Sequence, residues 1–196
     1  MFGAIYVLAM AGDDNATPTA LLRREHELIL EIAGAVSRML ADGDNEPLDY
    51  DALGSCITFF RLYADACHHG KEEDLLFPAL AANGLPEQGG PVAVMLEEHE
   101  QGRTLVRAMV ASLAGAQAGE ASADVNLRNA AAGFVELITA HIAKEDNILF
   151  EMADNLLAGQ ACEDLCAAYG KLSEERFEGH SKQDLVSIAG KILDRS

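Results

Sequence analysis

The chain is poor in the residues that build sheets or bind polyanions. Only five of its 196 residues are proline, glycine clusters are few, and runs of β-branched residues are nearly absent, which argues against strands and leaves helices as the element type. Lysine and arginine number 14 against 32 aspartates and glutamates, a formal charge of −18. Nothing in such a chain neutralises phosphates, so no nucleic acid and no anionic membrane surface is expected as a partner. The four cysteines, Cys56, Cys67, Cys162 and Cys166, form no CxxC and no closely spaced framework. A disulfide-stapled secreted scaffold is therefore excluded, and a reducing cytoplasm is the expected setting. Long hydrophobic runs are missing too. The opening MFGAIYVLAMAG has no Lys or Arg ahead of it and is too short to span a bilayer, so it reads as neither signal peptide nor anchor. Residues 1–16 are expected to form an N-terminal apolar extension, either a stretch ahead of a start at Met10 or a segment packed on the bundle or on a second subunit.

What is present suffices for one sizeable core: 49% of the residues are hydrophobic, which excludes disorder for the bulk of the chain. Thr17-Pro18 reads as an N-cap followed by a first-turn proline, opening a helix that runs to about Ala41. A second helix is expected over 49–82, kinked where Pro78 lacks an amide donor. Gln88-Gly89-Gly90 breaks the chain and Pro91 opens a third helix, ending near 115–120. A fourth follows over 122–157. Two more are expected over 161–178 and 183–193, the last introduced by the capping-box sequence Ser181 to Asp184. The expected organisation is an extension at 1–16, a bundle at 17–157 and helices packed on it at 158–196.

One internal offset, 73 residues, explains several features together. It maps Pro18 onto Pro91, Glu25-His26-Glu27 onto Glu98-His99-Glu100, and the stretch from His68 to Phe77 onto that from His141 to Phe150. Four of the six histidines are thereby paired. The pattern describes two copies of an α-hairpin, and the assembly expected from short loops is an all-α, up-down antiparallel four-helix bundle. His26 falls in the apolar stripe of the first helix among Leu22, Ile29 and Ala33, and His99 in that of the third among Val92, Met95 and Val106. His141 and Glu145 share a face with Phe134, Ile138 and Leu149. In the second helix the periodicity fits either His68 with Glu72 or His69 with Glu73, and the repeat favours His68 and Glu72.

Four imidazoles and two carboxylates inside an apolar bundle are costly without a partner, and a pair of metal ions removes that cost. Histidine and glutamate at i and i+4 lie one above the other on a helix, so each HxxxE pair supplies a terminal nitrogen and a carboxylate able to bridge. His26, His68, His99 and His141 are then the terminal ligands, and Glu72 and Glu145 the bridges.

With His26, His68-x-x-x-Glu72, His99 and His141-x-x-x-Glu145, the chain resembles the hemerythrin-like, or HHE cation-binding, domain over roughly residues 17–157. The resemblance implies two irons with an oxo or hydroxo bridge and chemistry with dioxygen, nitric oxide or peroxide; zinc or manganese are less expected occupants. The ferritin-like Glu-x-x-His pattern is absent, because residue 138 is Ile. Two positions depart from the oxygen carriers of the family. Arg103 stands where they place a second histidine one turn after the third-helix ligand. Asp146 stands at their last-helix carboxylate position, although Glu145 fits the repeat. Without that fifth histidine, nitric-oxide reduction, iron-centre repair, iron sensing or peroxide turnover is expected before reversible oxygen carriage. His69 either replaces it or donates a hydrogen bond from outside the ligand set, with the second role, or a surface position, favoured. The site serves an enzyme, or equally a sensor or store without turnover; a zinc-bound or metal-free interaction module is the structural alternative, and a homodimer is one expected assembly. Cys67, Cys162 and Cys166 are expected to pack as small apolar groups, His180 to face solvent, the acidic runs at 72–74 and 97–98 to be a solvated face apart from Glu72, and Lys71 and Lys144 to offset carboxylates at the edge of the stripe.

Overall fold

A computed structural model describes residues 16–42, 48–171 and 174–194; the expected N-terminal extension, apart from Ala16, and most of the first loop lie outside them. The described residues form helices joined by turns and loops, with no strand among them, and none of these helices is long and apolar enough to cross a membrane.

Helix α1 spans Pro18–Asp42. Helix α2 begins at Tyr50, where the Asp49 side chain accepts from the Ala52 amide, and continues to Ala82 through two wide, π-helical stretches, Phe60–His69 and Glu72–Leu76. Helix α3 spans Pro91–Gln117. Helix α4 starts at Ala121 and runs to Leu156 through one wide turn, Glu145–Leu149. Helix α5 covers Gln160–Tyr169, a short 3₁₀ turn covers Glu174–Phe177, and α6 covers Lys182–Leu193 behind the Ser181/Asp184 capping box. The helix expected over 161–178 is thus shorter: it closes at Gly170, and the chain turns again through positive φ at Glu178 and Gly179.

The expected kink at Pro78 has a different form. Ahead of the proline, the Phe77 amide bonds the carbonyl of Glu72, five residues back. The same bond joins Phe150 to Glu145 in α4, where no proline follows. The two wide turns are 73 residues apart and only one is followed by a proline, so Pro78 is not their common cause.

Contacts fix the registers of the helix pairs. In α3 and α4, Gly102 faces Phe134 and Leu137, Gly133 faces Leu105, and a Cβ on Gly115 would come within 2.8 Å of the Ala123 Cβ. One number rises as the other falls, so these helices run in opposite directions at very close approach. Between α1 and α4, Thr19 meets Asp154, Arg23 meets Glu151 and His26 meets Asp146, again in opposite order.

The apolar core is divided. One cluster contains Ile29, Ile32, Leu53, Phe59, Phe60 and Phe134, closed by Leu185, Ala189 and Ile192 of α6. The other contains Leu22, Phe77, Leu80, Met95 and Phe150, closed by Leu165 and Tyr169 of α5. Each fully buried large side chain contributes about 1.5–3 kcal/mol relative to exposure. The buried histidines and glutamates belong to neither cluster, and the two C-terminal helices cap the two clusters separately.

Candidate metal centre

All six residues predicted from the sequence come together, and a seventh joins them. His26, His68, Glu72 and Glu145 form one buried group, and His69, Glu72, His99 and His141 form another; within each, the candidate donor atoms all lie within 4.8 Å of one another. Glu72 belongs to both. Its Oε1 is 3.4 Å from His68 Nε2 and its Oε2 is 3.5 Å from His99 Nε2, so its two oxygens face different groups. Glu145 Oε2 lies 3.1 Å from His26 Nε2 and 3.3 Å from His141 Nε2, and its Oε1 lies 4.0 Å from His99 Nε2. Donors around one ion with bonds of about 2.1 Å sit about 3 Å apart at right angles, which is the scale of these separations.

His69 is the correction. It is neither at the surface nor a partner of Glu73: it is 5% exposed, and its ring stacks on that of His99 with centroids 3.8 Å apart. The periodicity test offered a choice between His68 and His69 because it assumed 3.6 residues per turn. Over Phe60–His69 the helix is wound wider, adjacent side chains diverge less, and both imidazoles point inward.

Every one of the five rings has a carboxylate at Nδ1. His26 donates to Asp146 at 2.8 Å, His68 to Glu25 at 3.0 Å, His99 to Glu73 at 2.7 Å and His141 to Glu98 at 3.0 Å, while His69 Nδ1 lies 3.4 Å from Asp65. Carboxylates accept, so Nδ1 of His26, His68, His99 and His141 carries a proton, and at His68, His99 and His141 Nε2 is left with a lone pair aimed into the centre. These carboxylates are held in turn by cations. Lys71 and Lys182 bond Glu25, the second at 2.6 Å; Lys144 bonds Glu98; Arg103 bonds Asp65 at 2.9 Å and Glu73 at 2.7 Å; and Arg23 donates to the Asp146 carbonyl at 2.8 Å. The acidic run read as solvated is therefore partly committed inward at Glu73 and Glu98, and Lys71 is buried rather than at the stripe's edge. The repeat held a signal for these supports, since Glu25 and Glu98, Lys71 and Lys144, and Glu73 and Asp146 are each 73 apart. Nothing in it pointed to Asp65, Arg103 or Lys182. Cys67 is free and buried, as expected of a small packing group, while Cys162 and Cys166 are free and half-buried; Cys56 is also free and buried, and His180 is half-buried rather than exposed.

The donor set fits a cation. His26 Nε2, His68 Nε2, His69 Nε2 and all four oxygens of Glu72 and Glu145 are buried with no hydrogen-bond partner. His99 Nε2 and His141 Nε2 face each other at 3.1 Å although both rings already donate through Nδ1, so two lone pairs oppose each other unless a positive charge lies between them. Burial is the largest influence on each titrating group. It holds His68 down at about 3 against the pull of Glu25, and keeps His99 well below, and His141 below, the ordinary imidazole value. At His26 burial is outweighed by the neighbouring Asp146 and Glu145 carboxylates, which raise it to about 9. Glu72 is pushed well above the carboxylate range, by burial first and Glu145 second; Glu145 is lowered because His141 and His26 outweigh its burial.

These features define an all-helical domain with a buried histidine–carboxylate centre suited to metal cations. The chain belongs to the Hemerythrin HHE cation binding domain family, whose model matches residues 17–153. It is similar to uncharacterized proteins from Mycobacterium bovis and from two strains of Mycobacterium tuberculosis, at 24% identity over 181 residues in each case. The match covers 88% of this chain, which spans 66% of the length of those relatives. No solved structure matches it.

Proposed function

We propose that the chain is a non-haem di-iron protein that reacts with dioxygen, nitric oxide or peroxide in the cytoplasm, and that its core is an up-down antiparallel four-helix bundle made by duplication of an α-hairpin. The observation that carries this reading is the pair of buried four-residue groups sharing Glu72. His26 and His68 would hold one ion, His69, His99 and His141 the other, with Glu72 and Glu145 across both. The first set offers four donors and the second five, so the His26–His68 side has more room for a small exogenous ligand. Bound iron supplies the redox chemistry that the protein's own side chains lack.

The surrounding residues orient and shield this centre. Asp146, Glu25, Glu73 and Glu98 fix the imidazole rings through Nδ1, so that Nε2 would face the ions. Phe150 stacks on His26 at 5.3 Å and excludes water from that side. Metal analysis of freshly purified protein, with absorption spectra before and after azide, tests the assignment. About two irons per chain and near-ultraviolet bands that shift with azide are expected; no iron, or a single zinc with a featureless spectrum, would remove the redox function.

Sensing without turnover is favoured by one further contact. Lys182, the first residue of α6, reaches the Glu25 carboxylate that orients His68, so the C-terminal helix is tied directly to the centre. Hydrogen exchange across residues 182–193 that accelerates on metal removal supports sensing, and identical exchange in both states counts against it.

A further inference from the structure

We propose that the chamber between α2, α3 and α4 is a binding site for a small, uncharged, apolar organic molecule. The chamber has a volume of about 350 Å³ and its inner end is formed by His69, His99 and His141; none of His26, His68, Glu72 or Glu145 lines it. It therefore approaches the centre from the side richer in histidine, away from the side with room for a small ligand, and an occupant would touch imidazole rings rather than take a place among the donors.

Two observations assign the class of occupant. The first is how the space arises. Phe60, Val106, Phe134 and Ile138 give it apolar walls, while Gly102 faces it in the middle of a helix, where glycine is unfavourable. The repeat partner of Gly102 is Ile29, which is fully buried in the core. No close backbone approach requires the glycine: a Cβ there would meet nothing nearer than Phe134 at 3.7 Å. Where one half of the duplication fills its core, the other leaves a lined space that opens beside the half-exposed Val110. Concave apolar spaces of this size are what organic ligands occupy.

The second observation is charge. The arginines around the chamber are each matched: Arg61 pairs with Glu178 at 2.9 Å, Arg107 with Glu100 at 2.8 Å, and Arg103 with both Asp65 and Glu73. Glu98 is taken by Lys144 and His141. No wall charge is left for an ionic head group, so an uncharged body fits the lining and an anion or cation does not.

Fluorescence titration with N-phenyl-1-naphthylamine, an uncharged apolar probe, tests this in metal-loaded and metal-stripped protein alike. Saturable binding of one probe per chain is expected. Gly102→Ile, which copies the filled half, and Val110→Trp, which plugs the mouth, should each weaken binding at least tenfold. Val94→Trp, at an exposed apolar position outside the chamber, should leave it unchanged. Absence of saturable binding, or wild-type binding in the filled and plugged variants, overturns the proposal. Should Gly102→Ile fail to fold by circular dichroism, Val110→Trp decides alone, because its side chain starts from an exposed position. Probe binding does not require bound iron, so failure of the di-iron reading and failure of this one are separate results.

Discussion

Replacing Glu72 with glutamine should move stability in opposite directions with and without metal. Glu72 is fully buried, neither carboxylate oxygen has a hydrogen-bond partner, and burial together with Glu145 pushes its pKa well above the ordinary carboxylate value of 4.5. In stripped protein the folded state must then keep a proton that the unfolded chain gives up. A carboxyl raised in this way costs nothing below pH 4.5 and progressively more above it, at about 1.4 kcal/mol per pH unit until its folded pKa is passed. Each unit by which the folded pKa exceeds 4.5 costs about 1.4 kcal/mol once the pH lies above it, and Glu72→Gln removes that cost because an amide does not ionise. For a chain of this length each step of about 1.4 kcal/mol is a rise in Tm of roughly 3–6 °C, and the rise vanishes as the pH approaches 4.5. In metal-loaded protein the same substitution deletes the carboxylate shared by both groups, so metal content and Tm should both fall. Differential scanning calorimetry of stripped and loaded protein between pH 4.5 and 7 measures both halves. A stripped Glu72→Gln variant that is less stable than wild type across that range would refute the reasoning, since Glu72 would then be stabilising the fold rather than waiting for a cation.

Metal uptake near pH 7 should release protons, because His26, raised to about 9, holds one that ligation displaces; indicator-dye titration with ferrous iron reads this, and uptake with no proton release is the contrary result. The stripped protein should also lose stability from pH 6.5 toward 9. The contribution of a histidine raised in the folded state is complete below its unfolded value of 6.5 and is lost as pH passes about 9, and an alkaline melting series showing no loss contradicts it. His69→Gln should lower metal content with little change in the fold of stripped protein, whereas His180→Gln, at the half-buried residue outside both groups, should change neither; equal metal content in both variants removes His69 from the ligand set. Lys182→Met should accelerate iron loss to a chelator by about tenfold, the lower end for groups that orient ligands, and an unchanged rate would leave the Glu25 contact without effect on the centre. Phe59→Ala should cost about 3–5 kcal/mol by opening a cavity in a fully buried position, read as a shift in denaturant midpoint; a shift under about 1 kcal/mol would mean that the core collapses around the gap.

Much of this was legible in the chain itself. Helix content followed from composition and breakers, and the boundaries at Pro18, Pro91 and Ser181 followed from capping chemistry, which is local and needs no partner. The six residues His26, His68, Glu72, His99, His141 and Glu145 followed from the 73-residue repeat, because two copies of one pattern rule out accidents that a single histidine on an apolar face does not. Four features were decided only by the tertiary structure. The wide turns set which side chains point inward at His68, His69 and Glu72, and a helix wound away from 3.6 residues per turn is invisible to a periodicity test that assumes it. Apart from Asp65 at His69, the supports at Nδ1 come from other helices, across 26 to 120 residues of sequence, and pairings at that range depend on register rather than on spacing. Lys182 and the chamber beside His99 belong to the same class. One reaches Glu25 only because α6 packs back on the bundle, and the other lies where α2, α3 and α4 leave a space beside the side chain that Gly102 lacks, facts of packing that a single strand of sequence does not carry.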